Sequence, residues 1–209
     1  MDKRISALSL VYVTVSCVTL WAADRLEFPS QTNMINLTSL GANGQDQVSD
    51  QAAIMAAIGQ GGNFPNPKII YLPAGTYVFD STIDLTGYNG QVGATTCCVT
   101  LQGQGPGHTI IKLKNSAPGY GNAGSPKAFI KTPPGNMSFR YNVLDLSVVI
   151  GSGNPGAIAL DYIASNQGSV DNVQITAEDG NGVAGLDMTR QWPGPCLIKD
   201  VIISGFNHG

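Results

Sequence analysis

From Met34 onward, apolar residues come in short alternating runs separated by glycine, proline and asparagine. Ile69-Ile70-Tyr71-Leu72, Thr76-Tyr77-Val78-Phe79, Val99-Thr100-Leu101, Thr109-Ile110-Ile111-Lys112-Leu113 and Ala128-Phe129-Ile130 read as strands, as does the short Met34-Ile35-Asn36-Leu37. One stretch departs from this period. In Gln51 to Ile58, Ala53, Ile54, Ala57 and Ile58 fall at helical spacing and predict one apolar stripe. Ser49 is the expected N-cap and Asp50 puts negative charge in the first turn. Gly59, Gly61 and Gly62 end the helix.

The later half of the chain repeats itself. Gly156-Ala157-Ile158-Ala159-Leu160-Asp161 leads to Gly168 and then Val170-Asp171-Asn172-Val173-Gln174-Ile175. Gly182-Val183-Ala184-Gly185-Leu186-Asp187 leads to Gly194 and then Ile198-Lys199-Asp200-Val201-Ile202-Ile203. The offset is 26 residues from Gly156 to Gly182 and from Gly168 to Gly194, and 28 from Val173 to Val201. Val143-Leu144-Asp145-Leu146-Ser147-Val148 is an earlier copy, with Leu146 lying 27 residues before Val173. Short strands and glycine turns at a period in the twenties predict a solenoid whose coils stack and bury one continuous core. The expected inward columns are Leu146/Val173/Val201 and Val148/Ile175/Ile203. Asp145/Asn172/Asp200 form a polar column beside them. The helix is expected to cap the first coil, which would otherwise expose strand edges.

Composition agrees with an all-β chain: charged residues are 12%, with 26 Gly and 12 Pro in 209 residues. A net charge of −3 with no basic patch argues against nucleic acid as partner. The first 23 residues read as a secretory signal: Lys3 and Arg4, the apolar run Ile5 to Trp21, then Ala22-Ala23. The competing reading is a membrane anchor, for which the run is short. A secreted or periplasmic chain without membrane insertion is therefore expected. A polar arm, 24–33, precedes one domain, 34–209. Beyond Cys17 in the leader, Cys97, Cys98 and Cys196 are an odd set. One of the adjacent pair reaching Cys196, or buried unpaired thiols, are both open. Asn36-Leu37-Thr38 and Asn136-Met137-Ser138 are glycosylation sequons.

The order Gly41-Ala42-x-Gly44, the alanine-rich helix, Ile70-Tyr71-Leu72-Pro73-Ala74-Gly75-Thr76-Tyr77 and Leu101-x-Gly103-x-Gly105-x-x-x-Thr109-x-Ile111 resembles the N-terminal part of pectate-lyase-like proteins of the rhamnogalacturonase/epimerase group. The resemblance covers residues 34 to 209. It implies a right-handed single-stranded parallel β-helix with an N-terminal capping helix. It also implies a protein that cuts polysaccharide by hydrolysis or β-elimination. The chain stops after the strand-like Ile198 to Ile203 with no closing element in its pattern. The expectation is therefore an incomplete solenoid, with chemistry that could lie beyond Gly209.

A glycosidase needs a pair of carboxylates across the scissile bond. Asp161 and Asp187 occupy the same place in successive coils, ~5 Å apart at the spacing of neighbouring strands, and are the candidate catalytic pair. The alternative is a turn-capping aspartate ladder. Tyr162 and Trp192 follow the repeated Leu-Asp on one side of adjacent coils. With Arg190 they form a candidate sugar-binding strip, since aromatic rings suit the apolar face of a sugar. Packing of Trp192 on Pro193 and Pro195 is the competing account. Glu178 and Asp179 read as a polar turn that could also meet a cation or a hydroxyl. No metal-ligand spacing is present and no cofactor is implied, although elimination would call for Ca2+. The reading is an extracellular polysaccharide-degrading protein, an enzyme in its full length, with hydrolysis first. A non-catalytic carbohydrate-binding or adhesive solenoid is the alternative.

Overall fold

A computed structural model describes residues 25–63, 66–86 and 97–209. The leader-like residues lie outside this range. Among the described residues no helix is long and apolar enough to cross a membrane.

The strands are β1 (Met34–Asn36), β2 (Lys68–Tyr71), β3 (Gly75–Phe79), β4 (Ile83–Asp84), β5 (Val99–Gln102), β6 (Thr109–Leu113), β7 (Lys127–Lys131), β8 (Asn142–Ile150), β9 (Ala157–Asp161), β10 (Gly168–Ala177), β11 (Gly182–Asp187), β12 (Cys196–Ser204) and β13 (Phe206–His208). Every strand pairing is parallel. The chain therefore winds as a parallel β-helix, each lap adding one strand to each face. The first face runs β1-β2-β5-β8-β10-β12, and the third runs β4-β7-β9-β11-β13. The second is built from β3, β6 and the later halves of β8, β10 and β12.

β8, β10 and β12 each serve two faces because each bends at one residue. Asp145, Asn172 and Asp200 are the bends, with φ of 55°, 54° and 49°. Aspartate and asparagine tolerate this left-handed region better than other side chains. They drop out of the pairing while the residues on either side stay in register. The predicted polar column is thus a corner. It is tied across coils by Asn172 Nδ2 donating to Asp145 Oδ1 (2.8 Å) and Gln102 Nε2 donating to Asp145 Oδ2 (2.8 Å). One coil earlier the corner is a glycine turn. A Cβ on Gly103 would sit 2.2 Å from the Asp145 carbonyl oxygen, so no other residue fits there without moving the backbone.

The core is a set of aliphatic columns. Ile35, Ile70, Leu101, Val143, Val170 and Ile198 are consecutive partners on the first face. Leu146/Val173/Val201 and Val148/Ile175/Ile203 pair as the repeat predicts. Each fully buried aliphatic side chain contributes about 1.5–3 kcal/mol, so a column of coils can stabilise what one coil could not. Burial falls off at the far end: Val173 is 1% exposed, whereas Ile198 is 37% exposed.

The cap helix α1 (Gln51–Gly59) buries Ala53, Ile54, Ala57 and Ile58, the predicted stripe. Its start differs from expectation. Asp50, not Ser49, holds the cap position, and its carboxylate makes no capping bond to the helix. That carboxylate instead accepts from the backbone N–H groups of Asn43 (2.8 Å) and Val78 (3.1 Å), fastening the cap to the first coil. Burial pushes its pKa up, opposed by those two bonds. The arm before β1 is fastened as well. Leu26 N donates to Gln104 O (2.9 Å), Gln104 Nε2 donates back to Leu26 O (2.7 Å), and Phe28 packs edge-on against Tyr71.

The cysteines need correction. Cys97 and Cys98 are bonded to each other, and Cys196 is a free thiol. Strand alternation would put neighbouring side chains on opposite faces. Cys98 escapes that rule because its φ is 71° and β5 begins only at Val99.

Candidate functional site

The candidate residues sit at the end of the third face. Ile83, Ile130, Leu160 and Leu186 stack in register, and Asp84, Lys131, Asp161 and Asp187 follow them as a charged column. The structure therefore brings Asp161 and Asp187 together as backbone partners on adjacent coils. It gives the two carboxylates different surroundings.

Asp161 is held by Arg190. The guanidinium Nε donates to Asp161 Oδ1 at 2.5 Å, and the side chains of Arg190 and Asp161 are 22% and 13% exposed. Nη2 also donates to the Asp161 carbonyl (3.0 Å) and to Thr132 Oγ1 (3.2 Å), and Nη1 donates to Pro133 O (3.4 Å). Thr132 is itself buried and takes Ile163 N at 2.8 Å. Arg190 thus reaches back from the turn after β11 and clamps the ends of β9 and β7. Burial pushes the Asp161 carboxyl above its ordinary value. The charge and hydrogen bond of Arg190 oppose this, while Asp187 adds a smaller upward push and Lys131 a smaller downward one. Repulsion between the two stacked carboxylates is present but is not the leading cause.

Asp187 makes a turn. Its Oδ1 accepts from Thr189 N at 2.9 Å, and Asp84 does the same for Thr86 N at 2.8 Å. This is the turn-capping ladder weighed against catalysis, repeated at two coils. Glycosidic cleavage needs a proton donor and a base or nucleophile, both with oxygens free to reach the sugar. Asp161 has one oxygen in an ion pair beneath a guanidinium. The arrangement joins coils and leaves Asp187 as the more available acid.

Tyr162 is not a sugar platform. It is fully buried, its hydroxyl donates to Tyr141 O at 2.8 Å, and burial pushes its phenol far above the ordinary value. The backbone turns the corner right after Asp161, where Tyr162 N donates to Asp187 O at 2.9 Å. The corner sends the tyrosine inward and keeps the aspartate near the surface. Trp192 does lie outside: it is 45% exposed, on a turn where its φ is 73°. The strip that remains is Asp187, Arg190, the exposed Gln191 and Trp192.

The other candidates resolve as turns. Asp179 accepts from Asn181 N (3.1 Å) and Gly153 N (2.7 Å), and Glu178 pairs with Lys112. Among the described residues no group of three or more His, Cys, Asp or Glu gathers as a metal site. Sequence reasoning missed Thr132 and Pro133, the other ends of the Arg190 clamp. They lie 58 and 57 residues from Arg190, off the repeat period, so no spacing announces them.

The family described as rhamnogalacturonase A/epimerase, pectate lyase-like, matches residues 34–209. The chain belongs to this family. The fold is that of a similar solved structure, ORF18 of Geobacillus virus E2, at 18% identity and a TM-score of 0.51. The match covers 69% of this chain and 26% of the viral one, so the chain spans about a quarter of that protein's length. Comparison with curated proteins finds no match. Family membership carries the parallel solenoid and its cap, while the reaction depends on the site.

Proposed function

We propose that this protein recognises an extracellular polysaccharide, and that the residues at the end of its third face bind the sugar chain rather than cut it. The carrying observation is the pairing of Asp161 with Arg190, with an exposed indole two residues further along the same turn. A tied carboxylate is a poor acid or base, whereas an aromatic ring flanked by polar groups suits a sugar. The family's name supports a polysaccharide as the ligand. The coil repeat supplies the same backbone geometry at regular steps, which fits a ligand that is itself a chain of repeating units.

The name also favours a degrading activity, and the test separates the two readings. The full chain is run through gels containing polysaccharide, and release of reducing ends is measured in parallel. Trp192→Ala is expected to weaken retention about threefold to tenfold, the range for loss of one aromatic stacking contact. Asp161→Asn is expected to leave no cleavage rate to lose. Reducing ends that appear with the native chain and vanish in Asp161→Asn overturn the binding reading.

A further inference from the structure

The charge around the strip narrows the ligand class. This step rests on the binding reading above. A polyuronate carries one carboxylate per sugar and needs a row of free cations on its protein partner. Among the described residues, the side chains of Arg25, Lys112, Lys114, Arg190 and Lys199 are ion-paired with carboxylates of this chain, Lys127 lies over the Tyr120 ring and Arg140 donates to Gln167 Oε1. Lys131, the lysine of the charged column, stands between Asp84 and Asp161 as their strand-register partner, and its charge is felt at the Asp161 carboxyl. Arg190 donates to Asp161, a carbonyl on each side and Thr132, which points its guanidinium into the protein. Asp187 opens the same turn, its Oδ1 accepting from Thr189 N, and Gln191 and Trp192 further along that turn add no charge. The chain as a whole has a net charge of −3.

We propose that the strip of Asp187, Arg190 and Trp192 takes a neutral glycan and rejects a polyuronate. This differs from what the family's name alone suggests, since pectate is a polyuronate. The physical reason is unopposed like charge. A sugar carboxylate held ~5 Å from Asp187 loses about a factor of four in affinity even at the dielectric of water, and more where the contact excludes water. A neutral hydroxyl pays no such penalty and can donate to the Asp187 carboxylate.

The test is retention of the full-length chain in gels carrying a neutral glycan (a β-glucan, a xylan or a galactomannan) or polygalacturonate, at low and high salt. One neutral glycan is expected to retain the native chain at least about tenfold more strongly than polygalacturonate, with little change in salt. Reversing the charge in Asp187→Lys is expected to raise retention by polygalacturonate about tenfold, and adding one charge in Gln191→Lys about fourfold. Gln191 is exposed and its side chain makes no hydrogen bond among the described residues, so that variant serves if Asp187→Lys disturbs its turn. Preferential retention by polygalacturonate, with or without added Ca2+, overturns the proposal while leaving polysaccharide recognition standing. Retention by neither class overturns polysaccharide recognition itself, and this inference with it.

Discussion

Replacing Arg190 by methionine tests whether the Asp161–Arg190 pair is a clamp. Methionine keeps much of the aliphatic bulk and removes the guanidinium. The variant loses the bonds to Asp161 Oδ1, the Asp161 carbonyl, Thr132 and Pro133, and leaves the Asp161 carboxylate, 13% exposed, without its cation. An exposed pair would be worth about 0–1 kcal/mol. Breaking a fully buried pair costs about 3–5 kcal/mol. This one lies between, nearer the buried limit, so the expected loss is about 3 kcal/mol. For a chain of this size that lowers Tm by roughly 6–12 °C. The pH dependence identifies the cause. Burial already raises the Asp161 carboxyl, and removing Arg190 raises it further. A raised acid pKa favours the fold below that pKa, where the group is neutral, and the benefit is lost as pH rises through it. The deficit of Arg190→Met is therefore full at neutral pH and shrinks as pH falls through the Asp161 pKa. Differential scanning calorimetry across this range, with Asp161→Asn and the double variant, completes a thermodynamic cycle. Coupling above about 1 kcal/mol is expected for residues in direct contact. A deficit under about 0.5 kcal/mol, one that stays flat in acid, or effects that simply add would refute the clamp.

Two further outcomes follow from the corners and the cysteines. Asn172 sits at φ 54° and donates to Asp145. Asn172→Val should cost about 2–3 kcal/mol, from left-handed strain and the lost bond, and Asn172→Gly about 1 kcal/mol. Urea midpoints read the order, and a valine milder than glycine contradicts it. Peptide mapping without reductant should return Cys97 and Cys98 linked to each other and Cys196 alkylated, while a linkage to Cys196 removes the assignment.

The repeat made the fold legible because stacking is a local rule. Each coil must place its aliphatic residues over those of the previous coil, so spacing in the chain becomes distance in space. Val173 over Leu146, Leu186 over Leu160 and Asp187 over Asp161 follow from offsets alone. The buried stripe of α1 was legible for a similar reason, since Ala53, Ile54, Ala57 and Ile58 lie one helical turn apart.

The corners were the part that spacing could not resolve. Asp145, Asn172 and Asp200 were visible as a polar column, but not as bends that let one strand serve two faces. That depends on φ, which residue type biases without determining. Tyr162 looked like a neighbour of Trp192 because both follow a repeated Leu-Asp, yet one turns into the core and the other faces solvent. Cys97 and Cys98 joined each other where alternation argued against it.

The sequence by itself determined the winding and the stacked columns, because both arise from apolar residues recurring at a fixed interval. Tertiary structure decided which of the stacked polar residues are free to meet a ligand. Arg190 comes to Asp161 from 29 residues away across a coil, and its charge, its reach and the partial burial of the site settle that carboxylate as a joint between laps. No periodic pattern encodes such a contact, since among the described residues it is made once.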